Sequence, residues 1–83
     1  MSQKPTVGRI VHFYPGTSPE NALPNNMEFA PALVTQVFGG DMANMTIFVA
    51  HYGHGAVRQG FSIHHKDSVQ DESAPHWVWP PRD

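Results

Sequence analysis

The chain has no cysteine in its 83 residues, so neither disulfides nor a thiolate zinc site can staple it, and a small secreted scaffold is not expected. A cytosolic setting fits better. So short a chain buries a modest share of its surface, and the missing staple must be replaced by dense aromatic and aliphatic packing or by burial between subunits. Self-association is therefore expected. Charge is also scarce: five Lys plus Arg against seven Asp plus Glu give a net charge of -2, with 14% of residues charged. No basic stripe is available to neutralise a phosphate backbone, which argues against duplex nucleic acid as a partner. Such a neutral surface suits protein contacts. No apolar run approaches the roughly 20 residues that span a bilayer, and the opening MSQKPT lacks the apolar stretch of a signal peptide. A soluble, unprocessed chain without a membrane partner is expected.

What is present is period-two hydrophobic patterning. From Val7 to Tyr14, VGRIVHFY sets Val7, Arg9, Val11 and Phe13 against Gly8, Ile10, His12 and Tyr14, which reads as a first strand. Pro15-Gly16 ends it. Residues 15–29, with Pro19, Pro24 and paired Asn, form a long aperiodic loop of the kind that often contacts partners. Ala32 to Phe38 alternates again behind Pro31, and Gly39-Gly40-Asp41 supplies residues that tolerate a tight hairpin to the next strand. In Asn44 to Val49, Met45, Ile47 and Val49 share one face. HYGHG at 51–55 makes a turn, and Val57 to Ile63 forms a fourth strand with Val57, Phe61 and Ile63 inward and a bend at Gly60. The polar run His64 to Pro75 crosses the surface, and His76 to Trp79 closes the set before the Pro-rich tail, residues 80–83.

This connectivity predicts one domain over residues 1–83: an all-β, SH3-like five-stranded barrel with a long first loop. An OB-like barrel would call for longer strands and a helix between the third and fourth, for which there is no signal.

PTVGRIVHFY at the start, PALVTQVF in the middle and HWVWPP at the end resemble a family of small proteins of tailed bacteriophages and prophages. The likeness covers most of the chain, and its most specific parts are the two ends, although this chain is longer than the family pattern in the first loop. The resemblance implies a phage origin, a compact β fold, and work in the host cytoplasm during infection or in the virion. It implies no particular activity.

Six histidines invite a metal reading, above all His51 and His54 in one turn with His64 and His65 nearby. Neighbouring strand residues point to opposite faces, however, so His64 and His65 do not aim at one ion while the strand persists. A hydrolytic reading would join Ser62 or Ser68 with His64 or His65 and Asp67, but residues this close on an extended chain do not readily converge, and no G-x-S-x-G turn occurs. No glycine-rich phosphate loop with Lys and Ser or Thr is found. No enzyme and no cofactor are expected.

The aromatic and cationic set is more informative. Five Phe, two Tyr and two Trp exceed what one small core holds. With Phe13 or Tyr14, Phe38, Phe48, Phe61 and one tryptophan assigned to the core, and Trp77 or Trp79 as a lid on the barrel, the rest must reach the surface. The expected ligand- or partner-binding residues are Arg9, Tyr14, Tyr52, Arg58, His76, Trp77 and Trp79, residue types that anchor interfaces or stack on a base. Two functions follow. The first is a non-enzymatic, oligomeric accessory protein that recognises or sequesters a nucleotide-like host ligand or a host protein. The second is a structural virion component, such as a capsid decoration protein held among capsid proteins.

Overall fold

The computed structural model describes residues 4–17, 23, 27–49, 57–71 and 73–81. Five strands form where the alternation predicts them: β1 (Ile10–Tyr14), β2 (Ala30–Val37), β3 (Ala43–Phe48), β4 (Val57–His65) and β5 (His76–Val78). Consecutive strands β1 to β4 pair antiparallel, and β5 pairs antiparallel with β1 and in parallel with the end of β4. The result is a closed, all-β, SH3-like barrel. Its helical content among the described residues is one 3-10 turn, Lys66–Ser68, between β4 and β5.

The inward residues follow the strand period. Val11 and Phe13 from β1, Ala30, Ala32 and Val34 from β2, and Ala43, Met45 and Ile47 from β3 are buried together with Leu23, Val49, Ile63 and Trp77. Phe13 lies in register between Ala30 on one side and Trp77 on the other, an alternation of large and small side chains that suits a narrow barrel. The expected phase of β3 therefore holds. Leu23 carries the long first connection into the core, while Thr17 N donates to Ser73 O at 3.0 Å and ties its start to the approach to β5.

Several expectations need correction. β1 begins at Ile10 rather than Val7, because Gly8 adopts a left-handed φ of 95° and turns the chain, leaving Val7 exposed. Two bonds still hold that turn to β2, Gly8 N to Val34 O at 2.8 Å and Val34 N to Arg9 O at 2.9 Å. Pro31 does not open β2 but lies inside it, opposite His12. Phe38, Phe48 and Phe61, assigned to the core, all face solvent, as does Val57. The cause is register. β2 shifts by a bulge between Val34 and Gln36, Phe48 occupies the outward phase of β3, and Val57, Gln59 and Phe61 share the outward phase of β4, which departs from the ladder after Gly60. There Ala43 pairs with Ile63 but Met45 with Gly60, so Phe61 and Ser62 together stand opposite Asn44 and the inward sequence becomes Gly60, Ile63, His65. Such an insertion reverses the side-chain phase beyond it. Ser62 takes a φ of 57° at this bend, and its N–H donates to Asn44 Oδ1 at 2.9 Å. The bulge or bend expected at Gly60 is thus realised just after it, at Phe61 and Ser62. The Gly39-Gly40-Asp41 hairpin is realised as well, with Gly40 at φ 76°. His64 and His65, assigned to the surface return, complete β4 instead.

Candidate functional site

The outward phases of β1 to β4 carry apolar side chains where a solvated sheet would carry polar ones. In one row across the strands, Ile10 pairs with Leu33, Leu33 with Thr46, and Thr46 with Gln59. The next row sets His12 opposite Pro31 and Phe48 opposite Val57. Because Ala32 pairs with Ile47, Pro31 and Phe48 come side by side between them. Ile10 is 46% exposed, Phe48 40% and Val57 50%, so apolar side chains dominate the face, and Thr46 and Gln59, bonded to each other, close the far end of the first row. Its edge is a ladder of rings: His12 stacks on Phe29 at 4.5 Å, Phe29 on Tyr14 at 5.3 Å, and Tyr14 on His76 at 5.3 Å between centroids. Each ring covers the next and fixes its orientation. A groove of about 210 Å³ lined by Tyr14, Thr17, Glu28 and His76 lies at the end of this ladder.

Of the seven expected binding residues, the structure brings Tyr14 and His76 together in that ladder and places Arg9 beside Trp79 near the start of β1. The Arg9 guanidinium lies 5.1 Å from the Trp79 ring centroid, and Trp79 meets Trp77 edge to face at 5.0 Å. Trp77 itself has no exposed surface, so it is a core residue and not a surface anchor. His76 is likewise almost wholly buried, with its Nδ1 2.8 Å from Ala74 O. Arg58 is half-buried on β4. Tyr52, like His51 and His54, lies outside the described residues. Sequence reasoning missed Ile10, Phe29, Pro31 and Phe48 as surface features. The available signal was their outward phase: a strand apolar on both faces has a covered second face or an exposed one.

A second cluster gathers around Asp41, at the β2–β3 turn. Its Oδ1 is 3.0 Å from His64 Nδ1, its Oδ2 accepts from the Ser68 hydroxyl, and its main-chain oxygen accepts from Trp77 Nε1 at 2.9 Å. One residue therefore joins the hairpin turn to β4, the 3-10 turn and β5. His64 and Ser68 do converge, but on opposite oxygens of one carboxylate. A nucleophilic serine needs the imidazole between itself and the acid, so this order does not build a triad. His64 is exposed and His65 buried, as opposite strand faces require. Among the described residues no three His, Cys, Asp or Glu side chains are grouped to hold a metal ion.

Partial burial opposes ionisation of Asp41, but the Ser68 hydroxyl, then the hydrogen bond and charge of His64, outweigh it and hold the carboxyl below its ordinary 3.8. A carboxyl with a lower pKa folded than unfolded stabilises the fold above the ordinary value and loses that contribution as pH falls through the folded one. We expect the urea midpoint to drop between pH 5 and pH 2.5 more in the native chain than in Asp41→Asn. Parallel losses in the two would remove Asp41 as the cause.

Fold and site together define a small closed β-barrel with an aromatic, largely uncharged outer face. Comparison with protein-family models, with curated proteins and with solved structures finds no match. No helix among the described residues is long and apolar enough to cross a membrane.

Proposed function

We propose that this barrel is a non-enzymatic binding module that engages a protein partner through the outer face of β1 to β4. The observation that supports it is the unbroken outward row of His12, Pro31, Phe48 and Val57 beside Ile10 and Leu33, because a contiguous exposed apolar patch is costly unless covered. Protein is favoured over a nucleotide-like ligand because the rings of His12, Phe29, Tyr14 and His76 already stack on one another, and spacings of 4.5 to 5.3 Å admit no base between them. The resemblance of PTVGRIVHFY and HWVWPP to phage proteins suggests an accessory factor acting on a host protein. The same apolar face suits the second reading, a virion component packed against capsid proteins.

Ile10→Glu with Phe48→Glu places two charges on the face without touching the core. In infected cells the native chain should hold one stoichiometric protein partner, and calorimetry on the purified pair should show at least a hundredfold loss of affinity for the double variant, with an unchanged melting temperature. Equal affinity of the two would overturn the proposal, as would a nucleotide bound tightly by both. Mass spectrometry of purified virions separates the readings: many copies per particle favour the structural role, and absence favours the accessory one.

A further inference from the structure

The groove at the end of the ring ladder is lined by Tyr14, Pro15, Gly16, Thr17, Glu28 and His76. Four parts of the fold meet in it. Tyr14 and His76 are register partners where β1 pairs with β5, residues 15–17 open the first connection, and Glu28 stands two residues before β2. The rings are held in place by the barrel itself: Tyr14 lies nearly parallel to His76, with 5° between the planes, and also stacks on Phe29. A site whose walls are already ordered loses little entropy on binding.

The polar side chains of the groove share one property, that each can accept a hydrogen bond. Glu28 only accepts, and the hydroxyls of Tyr14 and Thr17 accept as well as donate. His76 Nδ1, 2.8 Å from the Ala74 carbonyl oxygen, must carry the ring proton to bond there, which leaves Nε2 of the neutral ring as an acceptor. The carboxylate is also uncommitted. Glu28 is exposed, and among the described residues no hydrogen bond or ion pair engages it. Asp41, by contrast, is bonded to His64 and Ser68, and Asp71 accepts from Ser73 N. No lysine or arginine lines the groove to answer Glu28 from within the chain.

We propose that this groove receives an arginine side chain of the protein partner, its guanidinium paired with the Glu28 carboxylate and donating to the neighbouring hydroxyls while its stem lies along Tyr14 and Pro15. A guanidinium carries five donors in a planar fork that meets a carboxylate with two parallel bonds, so a cluster of acceptors can use it fully. An ammonium has fewer donors and holds its water more strongly, so lysine suits the groove less. A volume of about 210 Å³ takes a single side chain. The ladder leads from the groove to His12, whose cross-strand neighbour is Pro31, so a partner lying on the apolar face reaches the groove at its edge. The net charge of -2 favours a basic segment in the same sense. This deepens the partner-binding reading and rests on it, since it names what the partner presents beside the outer face.

The test uses the purified chain alone. When acetyl-Gly-Arg-Gly-amide is titrated into isotope-labelled native chain, the NMR signals of Tyr14, Gly16, Thr17 and Glu28 should shift and saturate, while those of Asp41 and Asp67 stay in place. The citrulline peptide, equal in shape but uncharged, should bind at least tenfold more weakly, and the lysine peptide should also bind more weakly than the arginine one. Glu28→Gln should lower affinity for the arginine peptide about tenfold without changing the melting temperature, because Glu28 makes no bond within the described fold. Asp67→Asn removes a carboxylate that is 72% exposed on the 3-10 turn and should leave affinity within twofold. Equal binding of the arginine peptide and either the citrulline or the lysine one, shifts spread over the other carboxylates, or a Glu28→Gln chain that binds like the native one would each overturn the proposal. Such a failure, with Ile10→Glu and Phe48→Glu still abolishing partner binding, removes the groove and leaves the outer face. The reverse pair of results removes the outer face and leaves the groove.

Discussion

Trp77→Ala is expected to lower stability by about 3 to 5 kcal/mol, a large part of the roughly 5 to 15 kcal/mol that holds a domain together. Trp77 is the largest fully buried side chain, it packs edge to face against both His65 and Trp79, and its indole N–H caps the main-chain oxygen of Asp41. Truncation leaves a cavity that neighbours held in a closed barrel cannot fill, and it leaves a carbonyl without its donor. The two contributions separate experimentally. Trp77→Phe removes the donor but only part of the ring, so it should cost less, about 1 to 3 kcal/mol. Urea unfolding followed by circular dichroism measures both. A loss below 1 kcal/mol for Trp77→Ala would show that the core does not depend on this side chain.

Gly16→Ala should be the most damaging glycine substitution among Gly8, Gly16 and Gly40. All three have left-handed φ values, 95°, 77° and 76°, so alanine at any of them adds backbone strain. At Gly8 and Gly40 a Cβ would meet nothing within 4 Å, whereas at Gly16 it would run into Ser73 O and lie 2.8 Å from Ser73 C and 2.9 Å from Ala74 C. Those are main-chain atoms and cannot turn aside as a side-chain end can. Alanine there must separate the start of the first connection from the approach to β5, breaking the bond from Thr17 N to Ser73 O. Strain and collision together are expected to cost about 2 to 5 kcal/mol, against about 1 kcal/mol at Gly40, where strain acts alone. Thermal melts of Gly16→Ala and Gly40→Ala decide, and equal losses would mean the two segments part without cost.

The outer face illustrates how far local pattern reaches. Alternation in NMTIFV puts Met45 and Ile47 on one face of β3, the buried one, whereas in VGRIVHFY it groups Val11 with Phe13 but leaves open whether Phe13 or Tyr14 is core. The same alternation fails at Phe61, which shares the outward phase of Val57 and Gln59, and holds at Ile63 only because an extra residue opposite Asn44 shifts the phase of β4 after Gly60. Phe38 was misplaced for the same reason by the shift in β2. Nor could local reading anticipate Asp41. Its partners His64, Ser68 and Trp77 lie 23, 27 and 36 residues away and meet it only when the barrel closes.

The sequence by itself determined the all-β class, the positions of five strands and the tight β2–β3 hairpin, because side-chain alternation and glycine-rich turns act over a few residues. Only the tertiary structure decided which tryptophan is core and which apolar residues stay outside, and it alone brought the end of β4 beside β5 to close the barrel. Those outcomes depend on register between distant strands, and register is set by bulges and barrel closure acting on the whole chain at once.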